Sequence, residues 1–138
     1  MKGLLSMVST TLRFTCCFRR KITNAKGENQ LRFIVELLSD GHVLRLSCPS
    51  ALNAAGGDEE IYLASCIALQ SKSVFFRFVY DEIHSVVAPR VEIAVPEEKG
   101  LLTQEDIYLP MRLTLEALDK HYEALEATKQ TGKVLAVD

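Results

Sequence analysis

The stretch from Leu31 to Cys48, LRFIVELLSDGHVLRLSC, decides the reading of the fold. Leu31, Phe33, Val35 and Leu37 alternate with Arg32, Ile34 and Glu36, the two-residue period of a half-buried strand. Asp40-Gly41 follows, a favoured pair for a tight hairpin turn of type I′. Leu44, Leu46 and Cys48 then resume the alternation around Arg45. Two antiparallel strands, 30–38 and 42–48, are predicted.

The pattern extends upstream. Leu12, Phe14, Cys16 and Phe18 alternate with Arg13, Thr15, Cys17 and Arg19, predicting a strand over 12–22. The polar segment Asn24-Ala25-Lys26-Gly27-Glu28-Asn29 joins it to the next strand as a hairpin loop. A three-stranded meander results. Pro49 ends it, and Asp58 is a plausible N-cap for a helix over 59–71. The stripe expected to be buried there is Ile61, Ala64, Ile67 and Ala68, with Leu63 and Leu69 beside it. An aromatic strand covers 74–80, and Asp81 to Ser85 turns. A strand follows over 87–95, with Val91, Ile93 and Val95 inward. Pro89 suggests that it lies at an edge.

Pro96 to Gly100 is a charged connection. Thr103 and Asp106 have the spacing of a capping box at the start of the last helix. Pro110 inside this segment predicts a kink or a late helix start. The element order is β-β-β-α-β-β-α. The fold class is α+β: a five-stranded antiparallel sheet with helices on one face. One domain is read over 1–130, with a loose tail at 131–138.

Composition narrows the functional classes. The chain has 138 residues, 48% apolar and 25% charged, enough for one core without a disulfide or metal staple. Net charge is −2, whereas proteins devoted to a phosphate backbone are usually basic. Cys16, Cys17, Cys48 and Cys66 form no C-x-x-C pair and have no histidine at ligand spacing. They read as reduced thiols in or near a core, which implies the cytosol. No metal and no cofactor are expected. The short apolar run at Leu4 to Val8 does not read as a signal peptide, and no run approaches the length of a membrane helix.

The register carries the functional clue. Arg13, Arg32, Arg45 and Arg77 each stand between two large apolar residues, and Arg19 and Arg90 share their phase. Six of the eight arginines then line the sheet face away from the helices. Cys17, Ile34, Val43, Phe75 and Val79 share that phase, as do Glu36 and Glu92. Arginine among apolar neighbours is the composition of a contact surface. The candidate partner-binding residues are therefore Arg13, Arg19, Arg32, Arg45, Phe75, Arg77 and Arg90. The plainer reading is a solvated sheet face carrying weak cross-strand ion pairs.

A second candidate is the seam Met111, Leu115, Leu118, Tyr122 and Leu125 on the last helix, with Leu109 and Leu113 widening the apolar surface. It reads as a dimer or groove surface, or as ordinary core. His42, His84 and His121 lie in no nucleophile-elbow or phosphate-loop context, so the chain does not read as an enzyme. Asp81 and His84 share a turn without further catalytic company. An arginine-lined sheet also suggests a single-strand nucleic-acid platform, but most aromatics share the inward phase; a third reading is a structural subunit whose arginine face is an oligomer interface.

The order of elements resembles the YbjN family, which is grouped by fold with the chaperones of type III secretion. The resemblance rests on the aromatic strand ending in Tyr80-Asp81, the strand Val91-Glu92-Ile93, and the Leu102-Thr103 helix start. Leu118-Asp119-Lys120 before Tyr122 completes it. It implies a non-catalytic module that binds a protein or peptide client, often as a homodimer; the lack of a long apolar run separately suggests no membrane partner. One departure stands out. Such proteins begin with a full amphipathic helix, and only about ten residues precede the first strand here.

Overall fold

The computed structural model describes residues 3–8, 11–20, 22–73, 75–95 and 103–137. Val74, the Pro96 to Gly100 connection and Leu102 of the helix start lie outside them. The class is α+β, an antiparallel sheet with two helices packed against it. The strands are β1 (Gly3–Val8), β2 (Thr11–Arg19), β3 (Gln30–Leu38), β4 (Val43–Ser47), β5 (Leu52–Asn53), β6 (Arg77–Asp81) and β7 (Val86–Ala94). The helices are α1 (Glu59–Ser71) and α2 (Gln104–Thr131).

Among the described residues seven strands replace the five expected. β1, which the sequence reading did not include, pairs antiparallel with β2. The short β5 continues the line of β4 past Pro49, and both lie beside β7. β6 flanks the other side of β7, making β7 an interior strand rather than the edge that Pro89 suggested. The reason is local. The Pro89 carbonyl accepts from the Cys48 N–H at 3.2 Å, so its hydrogen-bonding side faces the break between β4 and β5. The N–H that proline lacks would point into that break, where no ladder partner stands.

The β3–β4 connection differs from a two-residue turn. Leu38 pairs with Val43, leaving four residues between them. Ser39, Asp40 and Gly41 are consecutively left-handed, with φ of 53°, 55° and 89°. The capping predictions hold. Asp58 Oδ1 accepts from the Ile61 N–H at 3.2 Å. Thr103 and Asp106 close their capping box at 3.2 and 2.9 Å. α2 runs on through Pro110 as one helix from Gln104, so the late start does not occur.

The core lies between the sheet and the helices. Leu31, Phe33, Val35, Leu44, Leu46 and Val91 face inward as their phase requires. The stripe predicted for α1 is wrong. Tyr62, Ser65, Cys66 and Leu69 are its buried residues, while Ile67 is 65% exposed. The middle of α1, Ile61 to Leu69, is apolar nearly all round, so its periodicity does not select a face, and packing against α2 and β6 decides it. The seam of α2 is core as well: Met111, Leu115, Leu118 and Leu125 are at most 1% exposed. Tyr122 is half-buried, and its hydroxyl donates to the Thr23 carbonyl at 3.3 Å. The seam expected to meet a partner copy therefore fills the chain's own core.

Within the tail, Leu135 and Val137 pack against the rest of the chain. Gly132 turns the chain back in a left-handed conformation, φ 66°, and residues 132–137 return over α1. There the Leu135 N–H donates to Ser65 Oγ at 2.9 Å.

Candidate functional site

The face of the sheet away from the helices carries the six arginines in the predicted register. Opposed residues of an antiparallel pair share a face. One row crosses four strands: Arg13 opposite Glu36, Glu36 opposite Arg45, Arg45 opposite Glu92. A second row sets Thr15, Ile34, Ser47, Arg90 and Arg77 side by side. Cys17 and Arg32 form a third. None of the six arginines is buried under a helix, although Arg19 lines a cleft with Asp119, Tyr122 and Glu123 of α2. Arg13, Arg19, Arg32 and Arg77 are exposed, and Arg45 and Arg90 are half-buried among their neighbours.

Glu92 is the hub of this face. Its Oε2 accepts from Arg45 Nε at 3.2 Å and Nη2 at 3.0 Å. Its Oε1 accepts from Arg77 Nη2 at 2.7 Å. The two guanidinium groups, Arg45 first and Arg77 second, hold the Glu92 carboxyl below the usual carboxylate range. The Arg13–Glu36 pair is looser, at 4.0 Å. All of these groups are partly solvated, so they orient donors more than they stabilise the fold.

Three arginines lie outside that network. Arg77 and Arg90 are directly opposed like charges, and only Arg77 reaches Glu92. Arg90 Nε is buried without a hydrogen-bond partner among the described residues. Arg32 stands against the Cys17 thiol, whose hydrogen bond favours its charged form. Beside it, Lys26, Gln30, Arg32, Ile34 and Pro49 line a hollow of ≈ 180 Å³ at the corner of the face. Arg19 sits at the rim, in a cleft with Arg20, Asp119, Tyr122 and Glu123. The face thus has six cations against Glu36 and Glu92, with further acids at its margins: Asp81 at the β6 end, Glu28 near Arg32, and Asp119 and Glu123 beside Arg19.

Phe75 does not belong to it. The chain bends before β6 begins at Arg77, so the alternation does not extend back to residue 75. Its ring stacks 5.7 Å from Phe76 and packs on the helix side near Leu69 and Leu113. Phe14, Phe18, Phe33, Phe76 and Phe78 also belong to the core on that side. Among the described residues the open face therefore carries no aromatic ring.

The other candidates are structural. His84 Nδ1 lies 2.8 Å from Asp81 Oδ2, but the pair is exposed, and Asp81 Oδ1 accepts from the Ile83 and His84 N–H groups. It is the frame of a turn. Among the described residues no group of three His, Cys, Asp or Glu side chains could hold a metal, and no helix is long and apolar enough to cross a membrane. Cys16, Cys48 and Cys66 are buried free thiols, and Cys17 is an exposed one. Burial pushes Cys48 and Cys66 each up to about 12.

The phase of the arginines was legible in sequence. The role of Glu92 was not, because joining two arginines depends on which strands become neighbours. No protein family, curated protein or solved structure matches this chain. What the geometry defines is an α+β protein with one cationic, aromatic-free sheet face left open.

Proposed function

We propose that the chain is a non-catalytic binding module that takes an acidic peptide segment of a partner protein across its open sheet face. The observation that carries this reading is the six-arginine face, buried under neither helix, with Glu36 and Glu92 among its arginines and further acids only at its margins. Glu92 presents Arg45 and Arg77 in fixed orientation, which lowers the ordering cost of a bidentate contact. Arg19, Arg32 and Arg90 supply further donors, while Ile34, Val43 and Val79 supply apolar walls. A single-strand nucleic-acid platform needs rings on which bases stack. The described rings lie on the other side, and net charge is −2, so protein is the better partner.

Four free cysteines fit a reducing, cytosolic setting. A homodimer, if the module works as one, has to use a surface other than Met111, Leu115, Leu118 and Leu125. The test is a titration of a labelled extended peptide of alternating Glu and Val, with single-stranded RNA as competitor. Arg19→Glu with Arg32→Glu is expected to weaken peptide binding at least about tenfold. Unchanged affinity, or preferential binding of the RNA, would overturn the reading.

A further inference from the structure

The tail that returns over α1 marks a second site, on the opposite side of the sheet from the arginines. After Gly132 the tail lies extended, with Val134 and Ala136 exposed and Leu135 and Val137 half-buried. That alternation is the imprint of a groove reading every second side chain. Ser65 is 0% exposed on α1. Its hydroxyl donates to the Ile61 carbonyl at 2.8 Å and accepts from the Leu135 N–H at 2.9 Å. A buried serine thus offers a side-chain acceptor to the backbone N–H of an extended segment.

Val137 leaves the groove unfilled. Beside it lies a hollow of ≈ 310 Å³ floored by Leu69, Phe75, Phe76, Leu113 and Ala117. Its rim carries Lys72, Lys120 and His121 against Glu116. The floor suits a side chain larger than valine, and the rim suits an anionic group just beyond it.

We propose that this groove is a docking site for an extended segment of a partner protein. The segment is apolar at two alternate positions, large at the second, and acidic immediately after it. The chain's own tail occupies the groove as a resident competitor. Leu135 and Val137 hold the tail with modest buried area, so a segment that fills the hollow displaces it. The apparent affinity for the partner is lowered by the fraction of molecules whose tail is docked.

The probe is a fluorescein-labelled peptide of the sequence 131–138 carrying Val137→Phe, read by anisotropy. The full chain with Leu135→Ser and Val137→Ser is the tail-released protein. It is expected to bind the probe at least about tenfold more tightly than the unaltered chain. A probe with serine at both alternate positions is expected not to bind. Lys72→Glu with Lys120→Glu in the released protein is expected to weaken binding. Should circular dichroism show that the double serine variant is unfolded, Val137→Ser alone serves in the same titration. Absence of binding to the released protein, or equal binding to released and unaltered chains, would overturn the proposal. So would an unaltered chain that sediments as a dimer and a released one that does not, since the occupant would then be a second copy's tail.

Discussion

Gly57 lies so close to Lys129 that a Cβ there would stand 2.6 Å from the Lys129 Cβ and 2.7 Å from its carbonyl oxygen. The same carbonyl accepts from the Asp58 N–H at 3.0 Å. The start of α1 is therefore laid directly on the end of α2. Lys129 holds the junction from the other side. Its Nζ donates to the Asn53 carbonyl at 2.7 Å and sits 4.6 Å from the centre of the Tyr62 ring. Gly57→Ala forces backbone against backbone, with an expected loss of about 1–3 kcal/mol. A urea midpoint equal to that of the unaltered chain would show that the two helix ends separate freely.

Glu92 gives the fold an acid-sensitive contribution. Its folded-state pKa is lowered by Arg45 and then Arg77. The unfolded chain therefore binds a proton first as pH falls. The stabilisation is full above the unfolded carboxylate value, about 4.3, and disappears as pH drops through the lower folded value. Glu92→Gln is expected to flatten the acid limb of the stability curve in that window. Denaturation midpoints at neutral pH and near pH 3 check it; parallel curves for the two proteins would contradict it.

The placement of the α2 seam inside the protomer predicts a contrast. Leu118 is 0% exposed, and Leu118→Ala should cost about 2–5 kcal/mol. Leu109, 40% exposed on the same helix, should cost less than about 1 kcal/mol on truncation. If Leu118 instead served a dimer, its truncation would change sedimentation before stability.

Thr103→Ala removes half of the capping box, since the Thr103 hydroxyl accepts from the Asp106 N–H. The expected loss is about 1 kcal/mol. A thermal scan measures it, and Asp106→Asn serves as the companion variant for the reciprocal bond from the Thr103 N–H.

The cysteines should separate by kinetics. Cys17 is exposed on the arginine face, whereas Cys16, Cys48 and Cys66 are buried and each has its pKa raised, chiefly by burial. An aromatic disulfide reagent should label Cys17 rapidly in the native chain and the others only on unfolding. Rapid labelling that survives Cys17→Ser would place another thiol at the surface.

Legibility followed the range of the interaction. Alternation is a property of neighbours in sequence, so Leu31, Phe33 and Val35 were readable as core and the arginines as their opposite face. Caps at Asp58 and Thr103 are local and were readable too. Phe75 was misplaced because the alternation of β6 was extended past its first residue into a bend. The buried side of α1 was misread because its middle, Ile61 to Leu69, is apolar apart from Ser65, leaving the choice to its neighbours. Pro89 was taken as an edge mark, although its missing donor meets a break in the adjoining chain. The link from Arg45 to Arg77 through Glu92 requires β4 to lie beside β7, which sets Arg45 against a residue 47 positions away, and short-range patterns carry no trace of that pairing.

Charge is also segregated through the thickness of the molecule. α2 exposes Glu105, Asp106, Glu116, Asp119 and Glu123 against Arg112 and Lys120, an excess of acid, while six arginines occupy the far side of the sheet. A nearly neutral protein therefore has an electric polarity across its short axis. Over roughly one Debye length, about 8–10 Å, that polarity turns an approaching acidic partner toward the sheet before contact. The gain falls on the rate of encounter more than on the lifetime of the complex. Added salt should slow association while leaving dissociation nearly constant.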